Sequence, residues 1–271
     1  NMLEKIKATT NYISGRIQTK AELCIILGTG LGGLTREIVV KEEIPYAEIP
    51  NFPLSTVDGH AGKLISGTLG NKEILAMQGR FHYYEGYSMK EVTFPIRVMR
   101  QLGIKTLIVS NACGGLNPDY EVGDIMLISD HINFFPEHPL RGPNLDELGP
   151  RFPDMSRVYD PELREKARQI AANHQIALRE GVYVGVSGPT FETPAEYMMF
   201  RLLGGDVVGM STVPEVIVAH HSGMRIFGVS VITDSGVPGQ IKEITHNEVQ
   251  HVASEAEPRM TLLLSKLIDS L

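Results

Sequence analysis

Short apolar runs along this chain alternate with segments in which apolar residues recur every three or four positions. The apolar runs predict buried strands over residues 23–27, 63–69, 72–77, 106–110, 182–186 and 225–233. Helical spacing begins near the N-terminus and resumes after residues that favour helix N-caps, namely Asp160, Thr193, Thr212 and Thr245. This alternation, without repeats or low-complexity linkers, predicts one α/β domain over residues 1–271, with a mixed, largely parallel central sheet covered by helices.

Turn-forming residues directly follow several of the predicted strands. Gly28–Gly33 follows the first strand, and Asn111–Gly115 follows the strand over 106–110. Loops that leave the carboxyl ends of parallel strands build the binding sites of such sheets, so we expect these segments to meet at one site. The run from Phe134 to Pro153 is rich in proline and glycine, which predicts a long surface excursion.

Composition and charge narrow the classes of protein that fit this pattern. The chain has 271 residues, 42% of them hydrophobic, and a net charge of −7. An acidic chain does not favour a nucleic-acid or anionic-membrane partner, because few basic groups are available to neutralise phosphates. No apolar run approaches the ~18 residues of a membrane span. Two cysteines, Cys24 and Cys113, are too few for a disulfide scaffold and favour a cytoplasmic protein.

The segment Gly28-Thr-Gly-Leu-Gly-Gly33 has the G-x-G-x-x-G spacing of dinucleotide-binding folds. Those folds need a helix and a second parallel strand soon afterwards, but Pro45 and Pro50 leave hardly two turns for the helix. A phosphate nest of backbone N–H groups is therefore favoured over a plain tight turn and over a dinucleotide site. A second glycine segment, Gly59–Lys63, lacks residues that a Walker A loop requires and is rejected as one.

Candidate anion ligands lie in two further segments. Arg80 could hold an oxyanion through two parallel hydrogen bonds, and His82 could donate to the same anion, although a polar surface loop is an equal alternative. Ser211 precedes a helix that Thr212 and Glu215 are predicted to cap by their capping-box spacing. The N–H groups and dipole of a helix N-terminus favour phosphate, whereas a purely structural cap is the commoner role for a single serine.

An aromatic ring and a carboxylate, those of Phe191 and Glu192, lie between a predicted strand and a capped helix. The pair suits a flat heterocycle with N–H donors, such as a purine, although Glu192 could simply complement the helix dipole. No cysteine or histidine cluster has metal-ligand spacing, and no Ser-His-Asp pattern indicates an acyl-enzyme. The residues therefore predict anion-binding turns and a purine-like slot, with no metal and no covalent nucleophile.

Taken together, these segments resemble the trimeric purine nucleoside phosphorylases. The resemblance runs from about residue 20 to residue 250 and rests on the collinear segments 28–34, 59–62, 77–86, 111–117, 188–193 and 208–215. It implies reversible phosphorolysis in purine salvage: a purine nucleoside such as inosine or guanosine reacts with inorganic phosphate to give the free base and (deoxy)ribose 1-phosphate. It implies no cofactor, because inorganic phosphate is a co-substrate.

The resemblance also implies roles for individual residues. Phosphate would be bound by Thr29, His60, Arg80, His82, Asn111, Ala112 and Ser211. The ribose would contact Tyr84, Met210 and His246, and the purine would contact Phe191, Glu192, Val208 and Asp234. The residues implied in catalysis are His82, Glu192, Asp234 and His246. Phe152 matches an aromatic residue that the family inserts into a neighbouring subunit's site, which implies a homotrimer.

One position departs from the pattern of family members specific for 6-oxopurines, in which asparagine stands where this chain has Asp234. Asparagine both donates and accepts hydrogen bonds, whereas an ionised aspartate only accepts and would repel the charge that develops on the purine. A protonated Asp234 could instead donate to purine N7 as a general acid. We expect inosine and guanosine to remain substrates while Asp234 relaxes the rejection of 6-aminopurines.

Two other functions stay open at this point. A methylthioadenosine phosphorylase shares the scaffold and an aspartate near position 234, but Phe191 and Glu192 favour a guanine-type edge. A nucleoside sensor without turnover would keep the purine slot, although it would have no need of phosphate ligands such as Arg80 and Ser211. A preference for xanthosine is compatible with the same residues.

Overall fold

The structure, a computed structural model, describes residues 1–57 and 62–271 of the chain. The helices in these residues are α1 (Met2–Ser14), α2 (Met89–Gln101), α3 (Pro161–Asn173), α4 (Pro194–Leu202), α5 (Val213–His221) and α6 (His246–Asp269). The strands are β1 (Leu23–Leu27), β2 (Val39–Pro45), β3 (Lys63–Leu69), β4 (Lys72–Gln78), β5 (Thr106–Gly115), β6 (Ile125–Asn133), β7 (Leu178–Gly185), β8 (Val207–Gly209) and β9 (Arg225–Ser235). No helix among these residues is long and apolar enough to span a membrane.

The strands form one mixed sheet that is open at one end and closed on itself at the other. Their order is β2-β3-β4-β1-β5-β8-β7-β6-β9, and β9 also pairs with β5. That second pairing closes β5, β8, β7, β6 and β9 into a barrel. The pairings of β1 with β4 and β5, of β5 with β9, and of β7 with β6 and β8 are parallel. The predicted mixed, largely parallel sheet covered by helices is confirmed, whereas its closure is not encoded in the apolar pattern.

Helices cover both faces of the sheet, which explains the continuous apolar runs. In β1, Cys24 and Ile26 pack in one core with residues of α1, α2 and α5. The alternate residues Ile25 and Leu27 pack in a second core with residues of α3 and α6. Because successive side chains of a strand point to opposite faces, a strand buried on both faces must be apolar at every position.

Several boundaries differ from those predicted. The segment 111–115 is not a turn but the second half of β5, because β9 pairs with it as far as Gly115 and Ser235. The glycine segment 28–33 leads into a short 3₁₀-helix (Gly32–Glu37) and then β2, so it lacks the α-helix of a dinucleotide site. The helix α2 and the strand β6 were not predicted. The surface excursion over 134–153 is confirmed, with a single 3₁₀ turn at Asp146–Leu148.

The path of β5 opens a gap in the sheet. β5 pairs with β1 from Thr106 to Val109, and it pairs with β8 at Gly114 and Gly115. Between these stretches, residues 110–113 have no strand partner on that edge among the described strands. The parallel strands β4, β1, β5 and β9 all point their carboxyl ends toward this gap, as expected for a binding site in such a sheet.

Candidate active site

A cavity opens to solvent at this gap. The predicted site residues that line it are Thr29, Arg80, His82, Tyr84, Asn111, Ala112, Phe191, Glu192, Val208, Met210, Ser211, Asp234 and His246. Phe152 does not line it, and 87% of this residue is exposed. His60 lies outside the described residues. The structure thus brings together segments that are far apart in the sequence.

Sequence reasoning missed further residues of the cavity, namely Cys113, Gly114, Gly209, Thr233 and Val249. All of these except Val249 lie within two positions of a predicted site residue. Extending each predicted motif by two residues would therefore have included them. Val249 lies three positions after His246, and this helical spacing puts both residues on one face of α6. Sequence reasoning also gave no role to four residues that contact the lining residues without lining the cavity themselves, namely Glu85, Tyr183, Tyr197 and Glu215.

The guanidinium group of Arg80 is buried and ion-paired. Its Nε donates to Glu215 Oε1 over 2.8 Å, and its Nη2 lies 3.4 Å from Glu215 Oε2. Its Nη1 donates to the carbonyl oxygen of Ser110. Arg80 and Glu215 are only 2% and 3% exposed. The Nε–Nη2 edge is therefore bound to Glu215, and the two-hydrogen-bond contact of Arg80 with an oxyanion stays a prediction that would use other N–H groups of the guanidinium.

The predicted capping box at the start of α5 is wrong. Thr212 is the N-cap residue, but its side chain makes no capping hydrogen bond, and its φ of 70° lies in the left-handed region. A capping residue normally has extended backbone dihedrals, so the capping box cannot form here. Glu215 instead turns its carboxylate to Arg80, which a capping-box spacing gives no means of predicting.

Gly28 makes room for the arginine. A Cβ atom at this position would lie 2.8 Å from the carbonyl oxygen of Ser110 and 3.0 Å from Arg80 Nη1. The N–H of Gly28 donates to Ser110 Oγ over 3.2 Å, and the N–H of Leu31 donates to the carbonyl oxygen of Gly28 over 3.1 Å. These N–H groups are therefore used within the fold, and from the glycine segment it is Thr29 that lines the cavity.

His82 is held by an acidic neighbour. Its Nδ1 lies 2.9 Å from Glu85 Oε2, and its ring stacks on that of Tyr84 with 4.7 Å between centroids. Although burial opposes its ionisation, hydrogen bonds from His82 and Thr56 lower the pKa of Glu85 to about 2. Burial, together with the positive charge of Arg80, lowers the pKa of His82. A neutral His82 whose Nδ1–H donates to Glu85 can meet an anion only through Nε2.

Ser211 stands where the chain enters α5, as predicted. Its backbone N–H donates to the Tyr183 hydroxyl group over 3.3 Å, and its Oγ lies 3.0 Å from Thr212 Oγ1. Asn111 Nδ2 donates to Thr212 Oγ1 over 2.9 Å, so the amide of Asn111 fixes this turn from β5. The positive φ of Thr212 is unusual for a β-branched residue and is held in place by these contacts.

The other part of the cavity carries two carboxyl groups. Burial, reinforced by the nearby charge of Asp234, raises the pKa of Glu192 to about 7. Burial also raises the pKa of Asp234, although a hydroxyl group, Thr233 Oγ1 at 3.0 Å from Asp234 Oδ1, opposes this shift. With a pKa of about 7, Glu192 both donates and accepts hydrogen bonds near neutral pH, which suits the edge of a heterocycle.

The thiol of Cys113 in the cavity wall is not a reactive nucleophile. The Cys113 thiol lies 3.4 Å from the carbonyl oxygen of Val231, and burial raises its pKa. Burial of this kind makes a cysteine unreactive. Among the residues that the structure describes, no group of three histidine, cysteine or acidic side chains could hold a metal ion.

This α/β fold thus combines, in one cavity, groups that suit an anion and groups that suit a nitrogen heterocycle. The chain belongs to the phosphorylase superfamily, whose family model matches residues 22–269.

Similar proteins of known name indicate which activity within this superfamily the chain has. Purine nucleoside phosphorylase 1 of Bacillus subtilis (strain 168) is 46% identical over 98% of this chain and 98% of its own length. The purine nucleoside phosphorylase of Rattus norvegicus is 48% identical over 99% of this chain and 95% of its own. A crystal structure of Schistosoma mansoni purine nucleoside phosphorylase with adenosine matches with a TM-score of 0.94 and 42% identity, covering 99% of this chain and 98% of that chain. The chain therefore catalyses the reversible phosphorolysis of purine nucleosides.

Replacing Glu215 tests the buried ion pair. We expect Glu215→Gln to lower the free energy of unfolding by about 3 kcal/mol, because it leaves the buried charge of Arg80 without a counter-charge. Urea denaturation at neutral pH measures the change. The matched control is Glu165→Gln, which breaks an exposed pair with Arg168 and should leave the midpoint unchanged. Equal midpoints for the two variants would contradict the importance of the buried pair.

Proposed function

We propose that the enzyme prefers the 6-oxopurine nucleosides inosine and guanosine and binds phosphate and base at opposite ends of the cavity. The observation that carries this proposal is that Arg80 and Ser211 line the same cavity as Glu192 and Asp234. A nucleoside with its base at the two carboxyl groups directs its sugar toward the basic end. C1′ then faces the anion, as the reaction requires.

The phosphate ligands are Thr29, Arg80, His82, Ala112 and Ser211, with His60 retained from the sequence resemblance. Arg80 supplies positive charge, and the start of α5 beside Ser211 adds the positive end of the helix dipole. Because Nδ1 of His82 is bound to Glu85, its Nε2 accepts the hydrogen of monohydrogen phosphate. This hydrogen bond increases the negative charge on the oxygen that attacks. Asn111 acts indirectly, since its amide nitrogen holds Thr212.

The ribose contacts are Tyr84, Met210 and His246. A Cβ atom on Gly188 would lie 2.3 Å from Met210 Sδ and 3.2 Å from Tyr84 Cδ1, so these two side chains form one wall. His246 is the first residue of α6, and its Nε2 lies 3.1 Å from Gln250 Nε2. Its place in the cavity wall suits a hydrogen bond to the 5′-hydroxyl group. Phe191 and Val208 supply apolar surface for the purine ring.

The reaction follows from these positions. The bond between C1′ and purine N9 breaks with its electron pair moving into the purine, which leaves positive charge on the sugar. Phosphate stabilises this charge and then forms the new bond to C1′. Asp234, in its protonated form, gives its hydrogen to N7 of the leaving purine, while ionised Glu192 accepts the N1–H of a 6-oxopurine.

Asp234 in place of asparagine broadens this specificity. Its charge raises the pKa of Glu192, so a fraction of Glu192 carries a proton near pH 7 and can donate to the unprotonated N1 of adenine. Two related structures support a scaffold of this breadth: one of Schistosoma mansoni purine nucleoside phosphorylase holds adenosine, and one of a schistosoma purine nucleoside phosphorylase holds hypoxanthine.

The wider setting of the enzyme belongs to the same proposal. We infer a homotrimer in which Phe152 of one copy covers the cavity of the next, since an aromatic ring that is 87% exposed is suited to burial by a partner. Inorganic phosphate is the one co-reactant, and no cofactor takes part. Cys24 and Cys113 are buried free thiols, which suits the reducing cytoplasm.

A nucleoside panel with and without phosphate tests the proposed specificity. We expect hypoxanthine from inosine only when phosphate is present, and weaker but measurable turnover of adenosine. In Asp234→Asn, the ratio of kcat/KM for adenosine to that for inosine should fall about tenfold, because a neutral side chain no longer raises the pKa of Glu192. An unchanged ratio would contradict the role of Asp234, and product formation without phosphate would contradict phosphorolysis.

The pH dependence of inosine cleavage tests the role of Glu192. Only ionised Glu192 accepts the purine N1–H, and its pKa of about 7 includes the effect of a charged Asp234. For inosine, which needs protonated Asp234, kcat/KM should therefore rise with pH on the acid side of pH 7. Glu192→Gln should abolish that rise and lower kcat/KM about 100-fold, the effect of losing a hydrogen bond to a charged acceptor. Glu196→Gln is the control, because glutamine preserves the capping box of α4. A rise that survives in Glu192→Gln would assign it to another group.

A further inference from the structure

We propose that Thr212 and Tyr183 are positioning residues that direct the hydroxyl hydrogen of Ser211 into the cavity, where Ser211 donates it to the bound phosphate. The inference rests on the proposed function, in which Ser211 is a phosphate ligand. It goes further by naming the side chains that fix the direction of this hydroxyl group. Neither Thr212 nor Tyr183 lines the cavity itself.

The turn that precedes α5 directs the Thr212 side chain away from the helix. Thr212 has a φ of 70° and a ψ of −54°, and the N–H of Val213 donates to the carbonyl oxygen of Ser211 over 2.7 Å. This geometry is that of the rare, strained form of the γ-turn. The Thr212 side chain makes no capping hydrogen bond, and its Oγ1 contacts Asn111 and Ser211 instead. Strain that surrounding contacts hold in place points to a function at this turn.

The contacts of Thr212 fix which hydroxyl group donates to the other. An amide nitrogen only donates, so Thr212 Oγ1 accepts a hydrogen from Asn111 Nδ2 over 2.9 Å. Thr212 is fully buried, and among the described residues its oxygen has one further partner, Ser211 Oγ at 3.0 Å. If Ser211 were the donor, the Thr212 hydrogen would be buried without an acceptor, which is costly. Thr212 therefore donates to Ser211.

Tyr183 approaches the same serine from β7. Its hydroxyl oxygen accepts the backbone N–H of Ser211 over 3.3 Å and lies 3.5 Å from Ser211 Oγ. Gly209 permits this approach, because a Cβ atom there would lie 2.2 Å from the Tyr183 hydroxyl oxygen. Tyr183 is fully buried, and within the described part of the chain Ser211 Oγ is the acceptor in reach of its hydrogen. Burial also raises the pKa of Tyr183, so the phenol keeps that hydrogen.

These two donors leave Ser211 with only its own hydrogen to offer. A serine oxygen has two lone pairs, and the hydrogens of Thr212 and Tyr183 occupy both. Ser211 lines the cavity together with Arg80, so its hydrogen is directed toward the anion. A chain of hydrogen bonds that runs from Asn111 through Thr212 also polarises the Ser211 hydroxyl group and strengthens its donation.

The direction of this hydroxyl group determines which phosphate oxygen it binds. A Ser211 that only donates meets an oxygen without a hydrogen. The oxygen that carries the hydrogen of monohydrogen phosphate then belongs at His82 Nε2, the acceptor left free for it by the contact of Nδ1 with Glu85. The two side chains therefore orient the phosphate as well as bind it.

Thr212→Val tests the inference, because valine keeps the branched shape but cannot donate to Ser211. We expect KM for phosphate and the inhibition constant of sulfate, measured in competition with phosphate, each to rise about tenfold, as for a weakened hydrogen bond to a charged acceptor. KM for inosine at saturating phosphate should not change. Sulfate does not react, so its inhibition constant reports binding of the anion separately from catalysis.

Three further variants define what the change means. Thr212→Ser restores the donor and should return both constants to the wild-type values. The matched control is Thr93→Val on α2, which removes a buried hydrogen bond of 2.7 Å to the carbonyl oxygen of Met89 and should leave both constants unchanged. In Ser211→Ala, adding Thr212→Val should not weaken sulfate binding further, since the two residues act through one hydroxyl group.

Tyr183→Phe provides a second route to the same test if Thr212→Val does not fold. Phenylalanine keeps the ring beside Gly209 but removes the second donor to Ser211 Oγ. KM for phosphate and the inhibition constant of sulfate should again rise together while KM for inosine stays the same. The rise should be smaller than in Thr212→Val, because the Tyr183 contact of 3.5 Å is the longer of the two.

The outcomes separate this inference from the proposed function. Unchanged sulfate inhibition in the folded variants of Thr212 and Tyr183 would overturn the inference, as would an equal loss in Thr93→Val or an equal rise of KM for inosine. Inosine cleavage would still depend on phosphate in each of these cases. If Ser211→Ala leaves KM for phosphate unchanged, Ser211 is not a phosphate ligand, and that part of the proposed function is overturned as well.

Discussion

A buried guanidinium group needs a counter-charge and hydrogen-bond acceptors. The contacts that Arg80 makes for this reason fix the elements around the active site. Its partners are Glu215 on α5 and the carbonyl oxygen of Ser110 on β5, and Gly28 at the end of β1 leaves the space that the group occupies. Each partner comes from a different element, so these elements must assemble together to satisfy one charge. The anion end of the cavity is thus coupled to the packing of the sheet and helices around it.

The sequence predicted correctly those features that depend mainly on residues close together in the chain. The doubly buried strand over 23–27 and the cap at Thr193 appear as expected, and the motif residues gather at the carboxyl ends of parallel strands. Long-range pairing decided the rest. Residues 111–115 read as a turn but form strand because β9 runs beside them, and Glu215 reads as a cap but turns to Arg80. Spacing within a segment carries no information about such distant partners.

The carboxyl groups at the base end of the cavity, those of Glu192 and Asp234, are half-buried, and no lysine or arginine of the described residues forms an ion pair with them. Folding raises the pKa of Glu192 from its usual 4.5 to about 7, so the unfolded chain loses this proton first as the pH rises. The contribution of Glu192 to stability therefore falls across that pH range. The same raised pKa that lowers stability lets Glu192 donate or accept a hydrogen bond near neutral pH, which is useful for binding a purine.

Phosphorolysis by this enzyme requires that one cavity hold an oxyanion against C1′ of a nucleoside whose base meets two carboxyl groups. A crystal structure of the enzyme with inosine and with sulfate in place of phosphate would show this arrangement. We expect sulfate within hydrogen-bonding distance of Arg80 and Ser211, with purine N1 at Glu192 and N7 at Asp234. Sulfate bound elsewhere, with Arg80 and Ser211 facing separate surfaces, would contradict it.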